Sequence, residues 1–219
     1  MTRACHIQLK LLANDASGIY NTGLQKEGAV LGPNEIRINL RSWVEANLGS
    51  HPCDVFIDEL GFSNRREDKN LDRTFRADLA LANGRLVGFE IKSGNDSLSR
   101  WPSQCEAYFR VFDEIWLCTH SKHLERALSI TPKETGIIIA DDFGGLVLFR
   151  KPSSHKRISL YDLSGLLWRD ELLGICEEYA IDFKRKDTKS VLREKVSHSI
   201  EAEIIRNYVL QCLKVRKSN

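Results

Sequence analysis

The stretch TFRADLALANGRLVGFEIKSGNDSLSRWPSQCEAY, residues 74–108, decides the fold of this chain. Three charged side chains, Asp78, Glu90 and Lys92, interrupt its otherwise apolar segments. Because an isolated charge is costly to bury, charges inside core strands need partners or a metal ion. The pattern predicts four successive elements: a strand over 76–82, a turn at Asn83-Gly84, a strand over 85–92, and a helix that begins near Pro102.

The length of the turn determines which face each charged side chain occupies. A two-residue turn at Asn83-Gly84 would separate Asp78 from the other two charges, since side chains alternate along a strand. A three-residue loop over 82–84 would bring all three charges to one face. That loop is a turn followed by a bulge with a left-handed Gly84, and a bulge near Gly88 would serve equally. We therefore predict a bulge in this hairpin.

Two carboxylates and an ammonium on one face suit the hydrolysis of phosphodiesters. Asp78 and Glu90 offer hard oxygen ligands for Mg²⁺ or Mn²⁺. A bound metal ion can polarise a phosphoryl oxygen and lower the pKa of a bound water. Lys92 could orient or deprotonate that water and offset developing negative charge. An exposed Asp-Glu-Lys cluster without catalytic function would give the same isolated motif.

The residues around this motif favour a catalytic site over an exposed cluster without catalytic function. The stretch resembles the PD-(D/E)xK nuclease superfamily, with the restriction-endonuclease-like fold. The motif reads Arg76-Ala77-Asp78, eleven residues, then Glu90-Ile91-Lys92, and Ala77 stands where the family usually has proline. Gln104-x-x-x-Tyr108 is similar to the helix motif that follows the lysine in RecB-like and exonuclease-like members. The motifs that are similar to an uncharacterised bacterial and phage-borne branch are Phe89-Glu90-Ile91-Lys92-Ser93, Asp96-x-Leu98-x-Arg100 and Phe112-Asp113.

The resemblance implies an α/β fold with an αβββαβ core, a mixed sheet and a Mg²⁺- or Mn²⁺-dependent nuclease activity. The predicted catalytic residues are Asp78, Glu90, Lys92 and Gln104. The predicted metal ligands are Asp78, Glu90, the carbonyl of Ile91, and Glu35 on a helix over 33–48. The predicted nucleic-acid contacts are Arg100, Tyr108, Lys184, Arg185, Lys186 and Lys189.

The sequence allows two interpretations for each of two acidic residues, Glu35 and Glu59. Glu35 is equally explained as an acid at a helix start, where the helix dipole favours it. Glu59, on a predicted strand over 54–60, could face the site or lie at the end of an edge strand. The polar residues over 61–73 predict an exposed loop.

Composition and charge limit the remaining possibilities. The chain has 219 residues, 42% of them hydrophobic and 28% charged, with six cysteines in no CxxC pattern. The cysteine spacing argues against zinc or iron–sulfur ligation, and we expect reduced thiols in a cytoplasmic protein. No apolar run predicts a membrane span or a signal peptide. From residue 183 onward, ten Lys and Arg face four Asp and Glu, which predicts a basic end suited to phosphate contacts or a solvated helix.

The sequence divides into an N-terminal extension over 1–30, a nuclease core over 31–152 and a helical basic region over 153–219. We expect a nuclease acting on nucleic acid, DNA in preference to RNA. The alternative is a catalytically inactive nucleic-acid-binding module, or a component of a defence or mobile-element complex with the same fold. Endonuclease or exonuclease action, specificity and oligomeric state, including a homodimer, stay open.

Overall fold

A six-stranded mixed sheet with helices on both faces forms the centre of this protein. The computed structural model describes residues 31–49, 51–65 and 71–218, so the predicted extension over 1–30 lies outside the described residues. The strands are β1 (Val55–Arg65), β2 (Asp72–Ala82), β3 (Leu86–Lys92), β4 (Glu114–His120), β5 (Gly136–Ala140) and β6 (Leu146–Arg150). The helices are α1 (Pro33–Leu48), α2 (Trp101–Phe109), α3 (Leu124–Ile130), α4 (Leu160–Ser164), α5 (Arg169–Glu178), α6 (Lys189–Ser199) and α7 (Ala202–Ser218), with a 3-10 turn at Ser121–His123.

The strands lie in sequence order across the sheet. Strands β1, β2 and β3 form an antiparallel meander, β3, β4 and β5 run parallel, and β6 returns antiparallel at the edge. Parallel neighbours need crossover connections, which α2 and α3 provide. The predicted α/β class and the αβββαβ order from α1 to β4 are confirmed.

Helix α1 covers one face of the sheet. Pro33 fits its first turn, where no intrahelical N–H bond is required, and Gly49 follows its end with φ of 79°. Ile36, Leu40 and Val44 recur at helical spacing and are buried against residues such as Leu79 and Phe89. The helix predicted over 33–48 is therefore confirmed.

Helix α2 and the C-terminal helices cover the other face and share one hydrophobic core. Leu60 and Phe62 of β1 belong to the same cluster as Leu163 of α4, Leu192 of α6 and Val209 of α7. The sheet and the region over 153–219 therefore bury their apolar faces against each other. No helix in the described part of the chain is long and apolar enough to cross a membrane.

The loop predicted over 61–73 is wrong, because most of that segment continues β1 and β2. Phe62 is buried, and its ring stacks on that of Phe75 with centroids 5.6 Å apart. The many polar residues between Phe62 and Phe75 obscure the alternation of apolar residues that would have predicted strands there. The helical region predicted over 153–219 consists of four separate helices, and the first two are divided between Gly165 and an extended Trp168.

The hairpin between β2 and β3 has a three-residue loop over 83–85. Ala82 pairs with Leu86, the Asn83 amide donates to the Arg85 carbonyl at 3.1 Å, and Gly84 has φ of 90°. The predicted length and the left-handed Gly84 are confirmed, but the loop begins one residue later than predicted. The predicted bulge is wrong for the paired residues, because the ladder from Ala82–Leu86 to Leu79–Phe89 has no register shift. Each β2 residue therefore pairs with a β3 residue two positions further along the chain than predicted. Because side chains alternate with a period of two, each side chain keeps its predicted face.

Candidate active site

The carboxylate of Asp78 lies where β2 and β3 separate. The ladder between these strands ends with the Leu79–Phe89 pair, and the next amide, that of Ile91, donates to Asp78 Oδ2 at 2.7 Å. A side-chain oxygen thus takes the place of a backbone carbonyl. Because the N–H and C=O of one strand residue point to the same side, the Ile91 carbonyl also opens toward this gap.

Glu90 and Lys92 lie two residues apart on β3 and point to the face covered by α2, because strand side chains alternate. Both side chains are nearly inaccessible, with residue exposures of 2% and 5%. Lys92 Nζ donates to Glu90 Oε1 at 2.5 Å. The pair is therefore a buried, hydrogen-bonded ion pair within one strand.

Helix α2 fixes the Glu90 carboxylate from the opposite side. Gln104 and Tyr108 are one turn apart, so both side chains reach the same place. Gln104 Nε2 donates to Glu90 Oε1 at 2.7 Å, and the Tyr108 hydroxyl donates to Glu90 Oε2 at 2.7 Å. Gln104 also accepts from Lys92 Nζ at 3.2 Å. Both oxygens of Glu90 are consequently held by side-chain donors.

Gly88 permits this close approach of helix and strand. A Cβ at this position would lie 2.8 Å from the ring of Phe112 and 2.9 Å from that of Tyr108. These two rings are themselves stacked with centroids 4.9 Å apart. Any side chain at residue 88 would therefore force a shift of the Phe112 or Tyr108 ring.

Burial and charge shift two pKa values in this cluster. Burial raises the pKa of Asp78 from 3.8 to about 6, and the nearby Glu90 carboxylate contributes in the same direction. The Ile91 amide, Lys92 and Arg37 only partly oppose this increase. Burial also raises the pKa of Tyr108 well above 10, so its hydroxyl stays protonated as a donor. A divalent cation beside Asp78 would relieve the repulsion between the two carboxylates.

The donor set fits a hard cation that keeps water or substrate among its ligands. Asp78, Glu90 and the Ile91 carbonyl provide oxygen atoms, which suit Mg²⁺ and Mn²⁺. Across the described residues, no group of three or more His, Cys, Asp and Glu side chains is arranged to hold a metal ion. Mg²⁺ commonly binds through one or two carboxylates with water and phosphate oxygens, so two carboxylates are sufficient.

Glu35 lies outside this cluster, whereas Glu59 lies beside Asp78, between the Asp58–Leu79 and Leu60–Ala77 pairs of the β1–β2 ladder. Glu35 is exposed, and its Oε2 lies over Gly32 at the start of α1, only 2.8 Å from where a Cβ would stand. This placement fits an acid that interacts with the helix dipole. Glu59 has φ of 53° and pairs with Arg76 at 3.0 Å and with Arg37 at 3.6 Å.

The predicted nucleic-acid contacts differ in accessibility. Arg100 is exposed at the start of α2, and the Asp96 carboxylate accepts from Ser93 instead of pairing with it. Tyr108 is placed differently from the prediction, because its side chain is fully buried and cannot touch a polynucleotide in this conformation. Its structural role is to hold Glu90.

The predicted basic contacts near α6 are only partly available. Lys184, Arg185 and Lys186 are exposed in the segment before the helix. Lys189 Nζ, in contrast, donates to the Gly165 carbonyl at 2.9 Å. Other C-terminal cations form ion pairs within the fold, namely Arg193 with Asp72, Lys195 with Asp187, Arg206 with Asp113, and Arg216 with Glu171. These four of the ten Lys and Arg residues from residue 183 onward are therefore ion-paired within the fold.

Two residues near Lys92 were missed by the sequence reasoning. Thr119 is the partner of Lys92 in the parallel pairing of β3 and β4, and its buried hydroxyl has no hydrogen-bond partner among the described residues. His123 Nε2 lies 3.1 Å from the Ser93 carbonyl. Pairing β4 beside β3 from the two apolar runs would have found Thr119, whereas no sequence signal indicates His123.

Comparison with known proteins places the chain in a family. The model of the family described as bacteriophage P4 protein cII matches residues 70–219, well over half of the chain. The chain belongs to the bacteriophage P4 protein cII family. Protein cII of Enterobacteria phage P4 is 28% identical over 144 residues, which cover 64% of this chain and 54% of the phage protein. The chain thus spans about half the length of that relative. No solved structure matches the chain.

The region matched by the family model contains the whole Asp78–Tyr108 cluster and the C-terminal helices. It also crosses residue 152, where the sequence reasoning placed a boundary. The continuous match agrees with the single hydrophobic core that joins the sheet to α4 and the helices after it.

Proposed function

We propose that this protein is a metal-dependent nuclease of the PD-(D/E)xK superfamily that hydrolyses phosphodiester bonds of DNA. One observation supports this proposal best. The carboxylates of Asp78 and Glu90 lie where β2 and β3 separate, and the Lys92 ammonium donates to Glu90. Two carboxylates can hold a catalytic metal ion, and an adjacent ammonium can stabilise developing negative charge, so these groups suit metal-assisted hydrolysis. The αβββαβ order is consistent with a restriction-endonuclease-like core.

Each residue of the cluster has a distinct role in this proposal. Asp78, Glu90 and the Ile91 carbonyl would hold Mg²⁺ or Mn²⁺, which supplies charge neutralisation and a more acidic bound water. Gln104 and Tyr108 keep the Glu90 carboxylate in one orientation. An ammonium group has three donors, and Lys92 uses two of them on Glu90 and Gln104. Its third donor is available to hold the attacking water or a phosphate oxygen.

DNA is the proposed substrate because of the superfamily resemblance and the exposed cations. Arg100 begins the helix that carries Gln104, and its exposed guanidinium suits a phosphate oxygen of a bound strand. Lys184, Arg185 and Lys186 add exposed positive charge suited to contacts that do not depend on base sequence.

Cleavage of supercoiled plasmid and of linear duplex DNA, with Mg²⁺ or Mn²⁺, tests the proposal. Asp78→Asn and Lys92→Ala should each lower the rate at least about 100-fold, because electrostatic and metal contributions of this kind are worth that much. The matched controls Asp182→Asn and Lys133→Ala change exposed side chains in the same way and should retain activity. Equal activity in all five proteins would identify a contaminant and refute the proposal. Binding without cleavage would favour the non-catalytic nucleic-acid-binding module.

A further inference from the structure

A cleft borders the face of α2 that points away from Glu90. It has a volume of about 420 Å³ and lies between the end of β1, the start of β2, α2 and the segment before α4. Its lining contains one carboxylate, that of Glu106, which pairs with Arg157 at 3.4 Å. The other charged and aromatic residues of the lining are Arg65, Arg73, Arg110, Arg157, Phe75 and Phe109. Pockets for small ligands typically have volumes of about 300–1,000 Å³, so the cleft can admit a ligand the size of a mononucleotide.

The cleft is separate from the Asp78–Glu90 cluster because α2 lies between them. Gln104 and Tyr108 face the sheet, whereas Ser103, Ala107 and Arg110 line the cleft. Residues at positions i, i+4 and i+7 of a helix share a face, so one helix serves two regions. Within the described part of the chain, none of the residues that hydrogen-bond to the Glu90 carboxylate lines the cleft.

A hydrogen bond fixes the walls of the cleft relative to each other. Asn64, near the end of β1, is buried, and its Nδ2 donates to the Ala107 carbonyl of α2 at 2.9 Å. Asn64 pairs with Arg73 across the β1–β2 ladder, so Arg73 emerges beside this anchored point. The position of Arg73 relative to α2 is therefore set by regular structure instead of by a loop.

The arginines retain exposed donors although three of them have acidic partners. Arg65 pairs with Glu194 at 2.8 Å, and Arg110 pairs with Asp162 at 2.5 Å. Arg73 is exposed, and no carboxylate within residues 31–49, 51–65 and 71–218 forms an ion pair with it. A guanidinium has five N–H donors in a planar fork, so a single carboxylate does not use all of them.

Three of these guanidinium groups lie over aromatic rings, and that of Arg65 lies over Tyr161 at 3.8 Å from the centroid. Arg73 lies over the ring of Phe75 at 5.0 Å from the centroid, and Arg157 lies over Phe109 at 4.2 Å. A guanidinium stacked on a ring keeps its N–H edge directed away from that ring. Such edges bind phosphate in a bidentate manner, and aromatic or guanidinium planes stack on nucleic-acid bases.

We propose that this cleft binds one phosphate-bearing nucleotide unit, with Arg73 as its principal phosphate contact. The unit belongs either to a polynucleotide strand or to a free mononucleotide, since both carry the same phosphate and base. The site does not depend on a metal ion at Asp78 and Glu90. It therefore functions whether or not the protein cleaves DNA.

Fluorescence polarisation with a short fluorescein-labelled oligothymidylate, in EDTA so that no cleavage occurs, tests this site. Arg73→Ala should weaken binding about five- to tenfold, as expected for one charge-assisted contact. Arg126→Ala removes an exposed arginine of α3 outside the cleft and should change affinity less than about twofold. EDTA removes the metal ion that the nuclease proposal requires, so binding under these conditions separates this inference from that proposal.

Competition identifies the source of the nucleotide. Displacement of the probe by AMP would support a site for free nucleotides, and displacement by unlabelled oligothymidylate alone would support a strand-binding site. Equal weakening by Arg73→Ala and Arg126→Ala would show general attraction of charge and overturn the inference. Unchanged affinity in Arg73→Ala, or no binding by the wild type, would overturn it as well.

Discussion

The hydroxyl of Tyr108 donates to Glu90 Oε2 at 2.7 Å, from a side chain that is fully buried. The sequence predicted that Tyr108 contacts nucleic acid, whereas its buried hydroxyl instead holds the Glu90 carboxylate in position. We predict that Tyr108→Phe lowers the affinity for Mn²⁺ about tenfold, in the range seen when groups that orient a metal ligand are removed. Isothermal titration with MnCl₂ measures the change.

Tyr208→Phe provides the matched control for that experiment. The Tyr208 hydroxyl donates to the Glu171 carbonyl at 3.2 Å, among the C-terminal helices. Its removal should lower stability by about 1 kcal/mol, as expected for one hydrogen bond, without changing the affinity for Mn²⁺. Equal affinity in the two variants would refute the positioning role of Tyr108.

Gly88→Ala should destabilise the protein by about 1–3 kcal/mol, because its Cβ would overlap the rings of Phe112 and Tyr108. Urea unfolding measures the difference. Gly61→Ala is the control, since a Cβ on this β1 residue would have no neighbour within 4 Å. A loss of stability in Gly61→Ala as large as that in Gly88→Ala would show that the close approach of α2 is not the cause.

The pH dependence of stability should change in Asp78→Asn. The pKa of Asp78 is about 6 in the folded protein and 3.8 as the ordinary value. The folded state binds the Asp78 proton more tightly than the unfolded state does. Protonation of Asp78 therefore contributes fully to the free energy of unfolding below pH 3.8, and this contribution is lost as the pH rises through 6. Ionised Asp78 therefore opposes folding at neutral pH, by at most about 3 kcal/mol.

We accordingly expect Asp78→Asn to be more stable than the wild type by about 1–3 kcal/mol at neutral pH, with chelator present. The difference should vanish as the pH falls below 4, where Asp78 is protonated in both states. Urea titrations over this range measure it, with Asp182→Asn as an exposed control. A constant difference at all pH values would contradict the assigned pKa of Asp78.

The sheet and the C-terminal helices should unfold together. Arg193 of α6 is 2% exposed, pairs with Asp72 at the start of β2, and donates to the Tyr161 carbonyl at 3.0 Å. Hydrogen exchange should therefore give similar opening free energies for the central amides of β3 and α6. Exchange of α6 through a much smaller opening, while β3 stays protected, would show that the region over 153–219 is an independent unit.

The parts of the site that the sequence predicted depend on local geometry. Asp78, Glu90 and Lys92 could be assigned to one face because a strand has a fixed two-residue period and Gly84 permits the required turn. An error of one residue in the loop left this assignment intact. Helix α1 was equally predictable from Pro33 and its apolar spacing.

The parts that the sequence did not predict depend on tertiary contacts. The burial of Tyr108 depends on the missing side chain at Gly88, a residue on another element. The sequence does not show that some basic C-terminal residues form ion pairs within the fold, such as Arg206 with Asp113 at 3.0 Å. The extension of β1 depends on Phe62 stacking with Phe75 of the next strand.

Binding of Mn²⁺ to the wild type and to Asp78→Asn tests the claim that Asp78 and Glu90 together hold a divalent cation. Electron paramagnetic resonance of free Mn²⁺ during a titration reports the bound fraction directly. We predict one site in the wild type, at least about tenfold weaker binding in Asp78→Asn, and wild-type affinity in Asp182→Asn. Equal binding by the wild type and Asp78→Asn, or no binding by either, would contradict the account.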